Sequence, residues 1–458
     1  MSPASPAATC PVRPDPQTAA GGPSSDRDTG LPLLDRGVLG AVSPKSRGRP
    51  AGRGKQPRRH PRPGPRPVTA LELALREAPS LYDGDLLSAQ VAASEWLGKA
   101  WGARGMSERN PEKDLVRSIV NAAGGGSRAD AAVSALFALA TIPDPAWQDD
   151  LVTALADVPS VRSPTWAVDP VRHRPPAPTS AQLWSDPWGA NRVHLLRYDT
   201  PVPHTLFVAE STVGGRYVQV VDVGVEAQSR PLEPRAEDDL EVVEVVPADG
   251  LAEVADALWQ TDMYWPPQNA DDYTIFRAYA HWLTRCHRRE TDWEPLPDDE
   301  RERLLDEFAG QHGLDLDDDV IRLLADTFID FGDGYLHGGV LAWSPGEVEH
   351  FLLDWIHRKV ILEPEVQPHV PEALRAWVAF ALSRRGLKPE HIDPVVDAVS
   401  DMEDAYAEAS TDSALHGPAK EITSRLIAGG VDLHDEEAVN RAIGQYNAER
   451  LARRMVED

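Results

Sequence analysis

The sequence predicts an α+β protein that is mostly α-helical, with N-terminal helices, a small antiparallel β-sheet in the middle, a C-terminal multi-helix bundle and a disordered N-terminal tail. Apolar residues recur at helical spacing in the first and last parts of the body, and β-branched runs lie between them. The first 67 residues hold 14 of the 41 prolines and show no apolar period. We therefore divide the chain into segments 1–67, 68–160, 161–290 and 291–458.

The N-terminal tail, segment 1–67, is basic in an otherwise acidic chain. Residues 1–70 carry 12 Lys/Arg against 4 Asp/Glu, which leaves 34 basic against 69 acidic residues in the remainder, for a net charge of −27. Such an acidic body repels phosphate backbones, so we expect no DNA partner except through residues 45–66. Within that stretch, the run from Lys45 to Pro50 is similar to the core of an AT-hook, in which Arg47 and Arg49 would lie in an A·T minor groove.

A second interpretation of the tail is a mis-assigned translation start. A valine codon, such as that of Val68, can serve as an alternative start, and the first amphipathic pattern begins directly after it, at Leu71 and Leu73. On this interpretation residues 1–67 are not translated in the native protein, and both interpretations stay open.

Segment 68–160 is predicted to be helical. Leu86, Leu87 and Val91 recur at helical spacing, and an alanine-rich apolar run ends at Pro143. The glycines 124–126 lack the Gly-Lys-Ser/Thr ending of a phosphate loop, so we interpret them as a hinge between helices.

Segment 161–290 is predicted to contain the sheet with flanking helices. A proline-rich loop runs to Trp188, and Gly214-Gly215 is a hairpin signal because glycine accepts positive φ at no steric cost. A helix should begin at Asp271, which is a good N-cap residue. The predicted strands are 192–198, 204–212, 216–225 and 239–246, and a helix is predicted over 251–259.

Segment 291–458 is predicted to be a bundle of short amphipathic helices. The clearest start combines Ser344 as N-cap, Pro345 in the first turn and Glu347 at the capping-box position. The predicted helices lie near 298–309, 318–329, 345–359, 371–386 and 392–402, between 418 and 429, and from about 435.

The chain carries no sign of a membrane, a secretory pathway or a cofactor. It has two cysteines, Cys10 and Cys286, and no apolar run of the roughly 18 residues that span a bilayer. Signatures of hydrolases, zinc proteases and dinucleotide-binding proteins are missing from the sequence. We therefore expect a cytoplasmic protein, without cofactors, and assign no catalytic residue.

One group has the composition of a metal site. His350, Asp354 and His357 fall at positions i, i+4 and i+7 of the predicted 345–359 helix, and two imidazoles with a carboxylate suit zinc. A helical wheel places the three residues opposite the apolar stripe, where they would face solvent. We therefore do not assign them as metal ligands. The alternative is a metal-assisted hydrolase.

Aromatic residues are dense between the predicted sheet and bundle. Trp259, Tyr264 and Trp265 lie close together, and Pro266-Pro267 would stiffen the chain there. The favoured interpretation is a lid over the hydrophobic core; the alternative is a protein-recognition surface, where Trp and Tyr are frequent hot spots.

Parts of the body resemble a set of uncharacterised actinobacterial hypothetical proteins over roughly residues 70–450. The resemblance is carried by the runs 258–265, 343–360, 375–378 and 416–420, and excludes the tail. It implies no known activity and transfers no site residue. From the sequence we therefore expect a non-catalytic regulatory or accessory protein with an unknown protein partner. The alternatives are a metal-assisted hydrolase that uses the group on the 345–359 helix and a DNA-associated protein that binds through the tail.

Overall fold

The computed structural model describes residues 68–105, 110–156, 158, 163–199, 202–225, 240–289, 294–411, 441 and 444. The chain forms two compact units. Unit 1 comprises the described residues up to Pro176 together with Trp259–Cys286, and unit 2 comprises Ala177–Leu258 together with the described residues from His287 onward. The sheet thus groups with the C-terminal helices, although the sequence analysis placed it in a segment of its own.

Unit 1 is helical, as the sequence predicted. Its helices are α1 (Ala70–Glu77), α2 (Leu86–Gly102), α3 (Pro111–Ala123), α4 (Ala129–Leu139), α5 (Gln148–Ala156), the end of α6 (Pro247–Met263) and α7 (Asp271–Thr284). Thr69 and Glu72 form a capping box at α1, and Asp85 caps α2. Helices α2 and α7 pack so closely that a Cβ atom on Gly98 would lie 1.8 Å from the carbonyl oxygen of Thr274.

A buried ion network also holds unit 1 together. Arg277 donates to both carboxylate oxygens of Asp262, at 2.9 and 2.6 Å, and to Glu112 at 2.7 Å. Its guanidinium lies 3.5 Å from the ring centre of Trp101, and that of Arg104 lies 3.2 Å from the same centre. Two cations this close to one ring must occupy opposite faces, so Trp101 is sandwiched between them.

Unit 2 contains one five-stranded antiparallel sheet in the order β4-β3-β2-β1-β5. The strands are β1 (Ser180–Ser185), β2 (Asn191–Tyr198), β3 (His204–Ser211), β4 (Tyr217–Val225) and β5 (Glu241–Val245). The predicted hairpin is confirmed, with φ of 67° at Gly214 and 120° at Gly215. Strand β1 was missed, because its short mixed run follows a proline-rich stretch; pairing with β2 and β5 on either side stabilises it.

The first turn of α6 covers the inner face of the sheet. A Cβ on Gly250 would lie 3.0 Å from the side chain of Leu196 and 3.1 Å from that of Ala181, which are partners in the β1–β2 register. Glu253, one turn further along α6, therefore lies over the neighbouring part of the same face.

The other helices of unit 2 pack around an aromatic core. They are α8 (Asp298–His312), α9 (Asp319–Tyr335), α10 (Pro345–His350), α11 (Ile356–Lys359), α12 (Val370–Arg384), α13 (Pro389–Asp401) and α14 (Glu403–Thr411). The predicted N-cap of α10 is confirmed, since the Ser344 hydroxyl accepts from the Glu347 backbone N–H at 3.2 Å. The reciprocal half of the capping box is not formed, because the Glu347 carboxylate accepts from the backbone N–H of Gly214. The core contains Phe328, Phe331, Trp343, Phe351 and Trp377.

One continuous helix joins α10 to α11 through a π-helical segment, Phe351–Trp355, that the sequence did not predict. The tail 1–67 and the helices predicted beyond residue 411 lie outside the described residues, apart from residues 441 and 444, which are helical. No helix in the described part of the chain is both long and apolar enough to cross a bilayer.

Candidate functional site

The candidate site grows from a carboxylate buried in the sheet. Along β3, alternate residues point to the inner face, and Glu210 takes one of these positions with only 2% of its surface exposed. The β2–β3 register places Arg192 opposite Glu210 and His194 two residues further on, on the same face. A β-bulge between Ala209 and Glu210 shifts the register of the pairing with β4 at this point.

Three cationic or imidazole groups surround Glu210. Arg216 donates through Nε to Oε2 at 2.5 Å and through its terminal nitrogen to Oε1 at 2.9 Å, and His194 Nε2 lies 2.8 Å from Oε1. Arg192 lies 3.4 Å from Oε1. Although burial alone would raise it, the hydrogen bonds from His194 and Arg216 hold the pKa of Glu210 well below its usual range. Glu210 is therefore permanently ionised, and both of its carboxylate oxygens accept hydrogen bonds.

Arg192 and Arg216 also bind a second carboxylate, that of Glu253 on α6. Arg192 donates to Glu253 Oε2 at 3.2 Å and Arg216 donates to the same oxygen at 3.0 Å. Arg216 and Arg192 lower the pKa of Glu253 against the opposing effect of burial. The second oxygen of this carboxylate, Oε1, accepts no hydrogen bond from any described residue, and 34% of the side chain is exposed.

This charged network borders a cavity of about 270 Å³. Five parts of unit 2 contribute to its wall: the β1–β2 loop, β2, the end of β3 with α6, the segment after α9, and the end of α12. The lining residues are Trp188, Gly189, Arg192, Thr212, Glu253, His337, Gly338, Ala342 and Arg385.

The β1–β2 loop is held rigidly at the cavity wall. The Asp186 carboxylate accepts from the backbone N–H groups of Gly189, Ala190 and Asn191 at 2.6, 2.8 and 2.9 Å. Gly189 itself has a φ of 83°, which glycine adopts without strain. The Trp188 indole donates to the carbonyl of His391 at 2.8 Å, so the loop is fixed to α13 as well.

His337 and Arg385 complete the rim. His337 Nε2 lies 3.3 Å from an Arg192 nitrogen, and because arginine only donates, Nε2 accepts and the proton lies on Nδ1. Desolvation and the charges of Arg216 and Arg192 lower the pKa of His337, which favours the neutral ring. Arg385 donates to the Trp188 carbonyl at 3.2 Å, and no carboxylate of the described residues forms an ion pair with it. Its remaining N–H groups are available to a ligand.

The structure corrects the predicted surroundings of the metal candidates. His357 is only 5% exposed and its Nε2 lies 2.7 Å from the Leu352 carbonyl, while His350 touches the Phe331 ring at 5.9 Å between centroids. The predicted solvated face is therefore wrong for His357, because the π-helical segment rotates it relative to a regular helix and Tyr406 covers it at 5.3 Å. Asp354 pairs with Arg358 at 3.2 Å.

These three residues do not form a metal site in the structure. Within the described ranges, no group of three or more His, Cys, Asp or Glu side chains is arranged to hold a metal ion. The geometry instead gives each of them a separate structural role in the helix.

The aromatic candidates in unit 1 are partly exposed. Trp259 is 39% exposed, Trp265 is 38% exposed, and Tyr264 is half-buried. The core lid and the recognition surface both stay predictions. The candidates Arg47 and Arg49, with the rest of residues 45–66, lie outside the described residues.

The sequence analysis missed every charged residue of the cavity. Arg192, His194 and Glu210 offered a signal, because polar groups at alternate positions of predicted strands fall on the inner face. His337 and Arg385 offered none, since they reach the cavity from helix ends far away in sequence. Comparison with protein-family models, with curated proteins and with solved structures gave no match for this chain.

Proposed function

We propose that this chain is a cytoplasmic, non-catalytic regulatory or accessory protein whose unit 2 binds a small organic molecule through a carboxylate or phosphate group. One observation carries the proposal: Arg385, free of a carboxylate partner among the described residues, lies at the rim of a preformed cavity whose other arginine, Arg192, is already paired. Small-ligand sites have this character, with few convergent polar groups on a rigid wall.

The chemistry of the cavity favours binding over catalysis. A general base works best with a pKa near the working pH, whereas arginine neighbours depress the pKa of Glu210 and of Glu253. The Thr212 hydroxyl donates to the Gly189 carbonyl at 3.3 Å, and no described residue is placed to activate it as a nucleophile. These groups provide a fixed electrostatic environment.

Arg385 suits the anionic end of a ligand. A guanidinium with free N–H groups binds carboxylate or phosphate through paired, charge-assisted hydrogen bonds. The Trp188 carbonyl orients the side chain without neutralising its charge. Less side-chain freedom is therefore lost when the ligand arrives.

Such a protein would act by binding a protein partner. The exposed tryptophans of unit 1, Trp259 and Trp265, and the exposed Met263 are residue types enriched at protein interfaces.

A thermal-shift screen of small organic carboxylates and phosphates, amino acids included, tests the ligand-binding proposal. A ligand at about 100 times its Kd should stabilise the native protein by about 2.7 kcal/mol. The shift should be lost in Arg385→Gln and kept in Arg384→Gln, which alters a surface arginine that pairs with Glu307. If no compound of this screen at millimolar concentration raises the melting temperature, the proposed function is wrong.

A further inference from the structure

The cavity offers a ligand two opposite charges. Glu253 presents an oxygen with no described donor, and Arg385 presents N–H groups with no described acceptor. We infer that the ligand is a small zwitterion of the amino-acid type, whose carboxylate binds Arg385 and whose ammonium binds Glu253. The inference rests on the proposed function and specifies the class of ligand.

The negative pole is built so that one carboxylate oxygen stays free. Arg192 and Arg216 both bind Oε2 of Glu253, which leaves Oε1 as the acceptor that faces a partly exposed space. An ammonium group has three donors and no acceptor, and it would complete this carboxylate without disturbing either arginine. The Thr212 oxygen, whose proton is committed to Gly189, is a second acceptor on the same wall.

The positive pole lies at the end of α12, where Arg385 is the C-cap residue. The carbonyl of Trp188 fixes one terminal nitrogen, and the planar guanidinium keeps its other donors in a fork that matches a carboxylate. Among the arginines of the cavity, Arg192 is engaged by Glu210, Glu253 and His337, so Arg385 is the group left for the ligand.

The carboxylate of Glu253 beside the ligand argues against a dianion. A second negative charge would lie beside Glu253, and Glu210 stands behind it in the same network. Like charges at short distance in a partly desolvated site oppose each other strongly. A zwitterion adds no net charge, so it avoids this repulsion.

The size of the cavity limits the ligand. About 270 Å³ corresponds to roughly nine water molecules at about 30 Å³ each, so a free amino acid of about nine non-hydrogen atoms fits. Trp188 and Ala342 supply apolar wall for a short side chain, and the indole face also favours an adjacent cation.

Isothermal titration calorimetry of the full chain at pH 7 tests the inference. The probes are the common amino acids and, for each one that binds, its 2-hydroxy acid, its N-acetyl derivative and its decarboxylated amine. Inorganic phosphate and succinate complete the panel. We expect the hydroxy acid, the N-acetyl derivative and the amine to bind at least about tenfold weaker than the parent amino acid. The first two lack the ammonium and the third lacks the carboxylate, so each loses one charge-assisted contact.

Two variants assign the poles. Arg385→Gln should weaken amino-acid binding at least about tenfold, and Arg384→Gln should leave it unchanged. Glu253→Gln should reduce the preference for an amino acid over its 2-hydroxy acid. That ratio reports recognition even if the variant is less stable, because both ligands are compared on the same folded fraction.

The outcomes separate the two proposals. Preferential binding of amino acids with the expected variant effects supports the inference. If hydroxy acids, succinate or phosphate bind as tightly as amino acids, the zwitterion is wrong while the proposed anion site stands. If no compound of the panel binds at millimolar concentration, both are wrong.

Discussion

The carboxylate of Glu347 accepts a hydrogen bond of 3.2 Å from the backbone N–H of Gly214, at the turn between β3 and β4. Only 2% of Glu347 is exposed, and no cation is paired with it in the described part of the chain. Burial raises the pKa of Glu347 to about 8, against the opposing hydrogen bond from Gly214. The helix start therefore holds a neutral carboxylic acid at neutral pH.

The substitution Glu347→Gln should stabilise unit 2. At pH 7 the unfolded chain gains free energy by ionising Glu347, whereas the native state cannot; glutamine removes this difference and keeps an oxygen for Gly214. We expect a gain of about 1–3 kcal/mol in the free energy of unfolding at pH 7, measured by denaturant titration. A loss of stability at this pH would show that Glu347 is ionised in the native protein.

The same carboxyl predicts the direction of a pH dependence. Because its folded pKa is raised, its contribution to stability is fully present below the ordinary value of 4.5 and is lost as pH rises to about 8. Between these limits the Glu347→Gln variant should lose less stability than the parent chain. Parallel slopes for the two proteins would contradict the prediction.

Removal of Arg277 should destabilise unit 1 strongly. Arg277→Met leaves Asp262 and Glu112 without their shared guanidinium in a buried site, and such uncompensated charges typically cost about 3–5 kcal/mol. The matched control is Arg303→Met, which breaks an exposed pair with Asp299 and should cost less than about 1 kcal/mol. Equal losses of stability in the two variants would mean that the buried network stabilises the protein no more than an exposed ion pair does.

Two glycine substitutions compare close packing with open space. Gly98→Ala places a Cβ 1.8 Å from the Thr274 carbonyl oxygen, so α2 and α7 must separate; we expect a loss of about 3 kcal/mol or more. Gly310→Ala, inside α8, meets no atom within 4 Å and should gain about 0.5–1 kcal/mol. Thermal unfolding measures both, and a tolerated Gly98→Ala would refute the close approach of the two helices.

Local signals explain which parts of the fold were predictable. The start at Ser344 depends on residues within four positions of one another, and the Gly214-Gly215 hairpin on two glycines, so both were visible in the sequence. Strand β1 depends on partners on both sides that lie up to about 60 residues away, so its own composition could not reveal it.

The candidate cavity was less predictable for the same reason. It unites residues from Trp188 to Arg385, and the only local hint was the polar alternation along β2 and β3. The π-helical segment, in turn, displaced His357 relative to His350 from the position that a regular helix assigns. Helical-wheel arguments fail wherever the number of residues per turn changes.

The shared bonding of Glu253 and Glu210 by the same two arginines has a consequence for ligand binding. A ligand ammonium that binds Glu253 weakens the attraction of Glu253 for Arg192 and Arg216, and both arginines then pair more strongly with Glu210. Ligand occupancy and the strength of the ion pairs on the inner face of the sheet are thus thermodynamically linked.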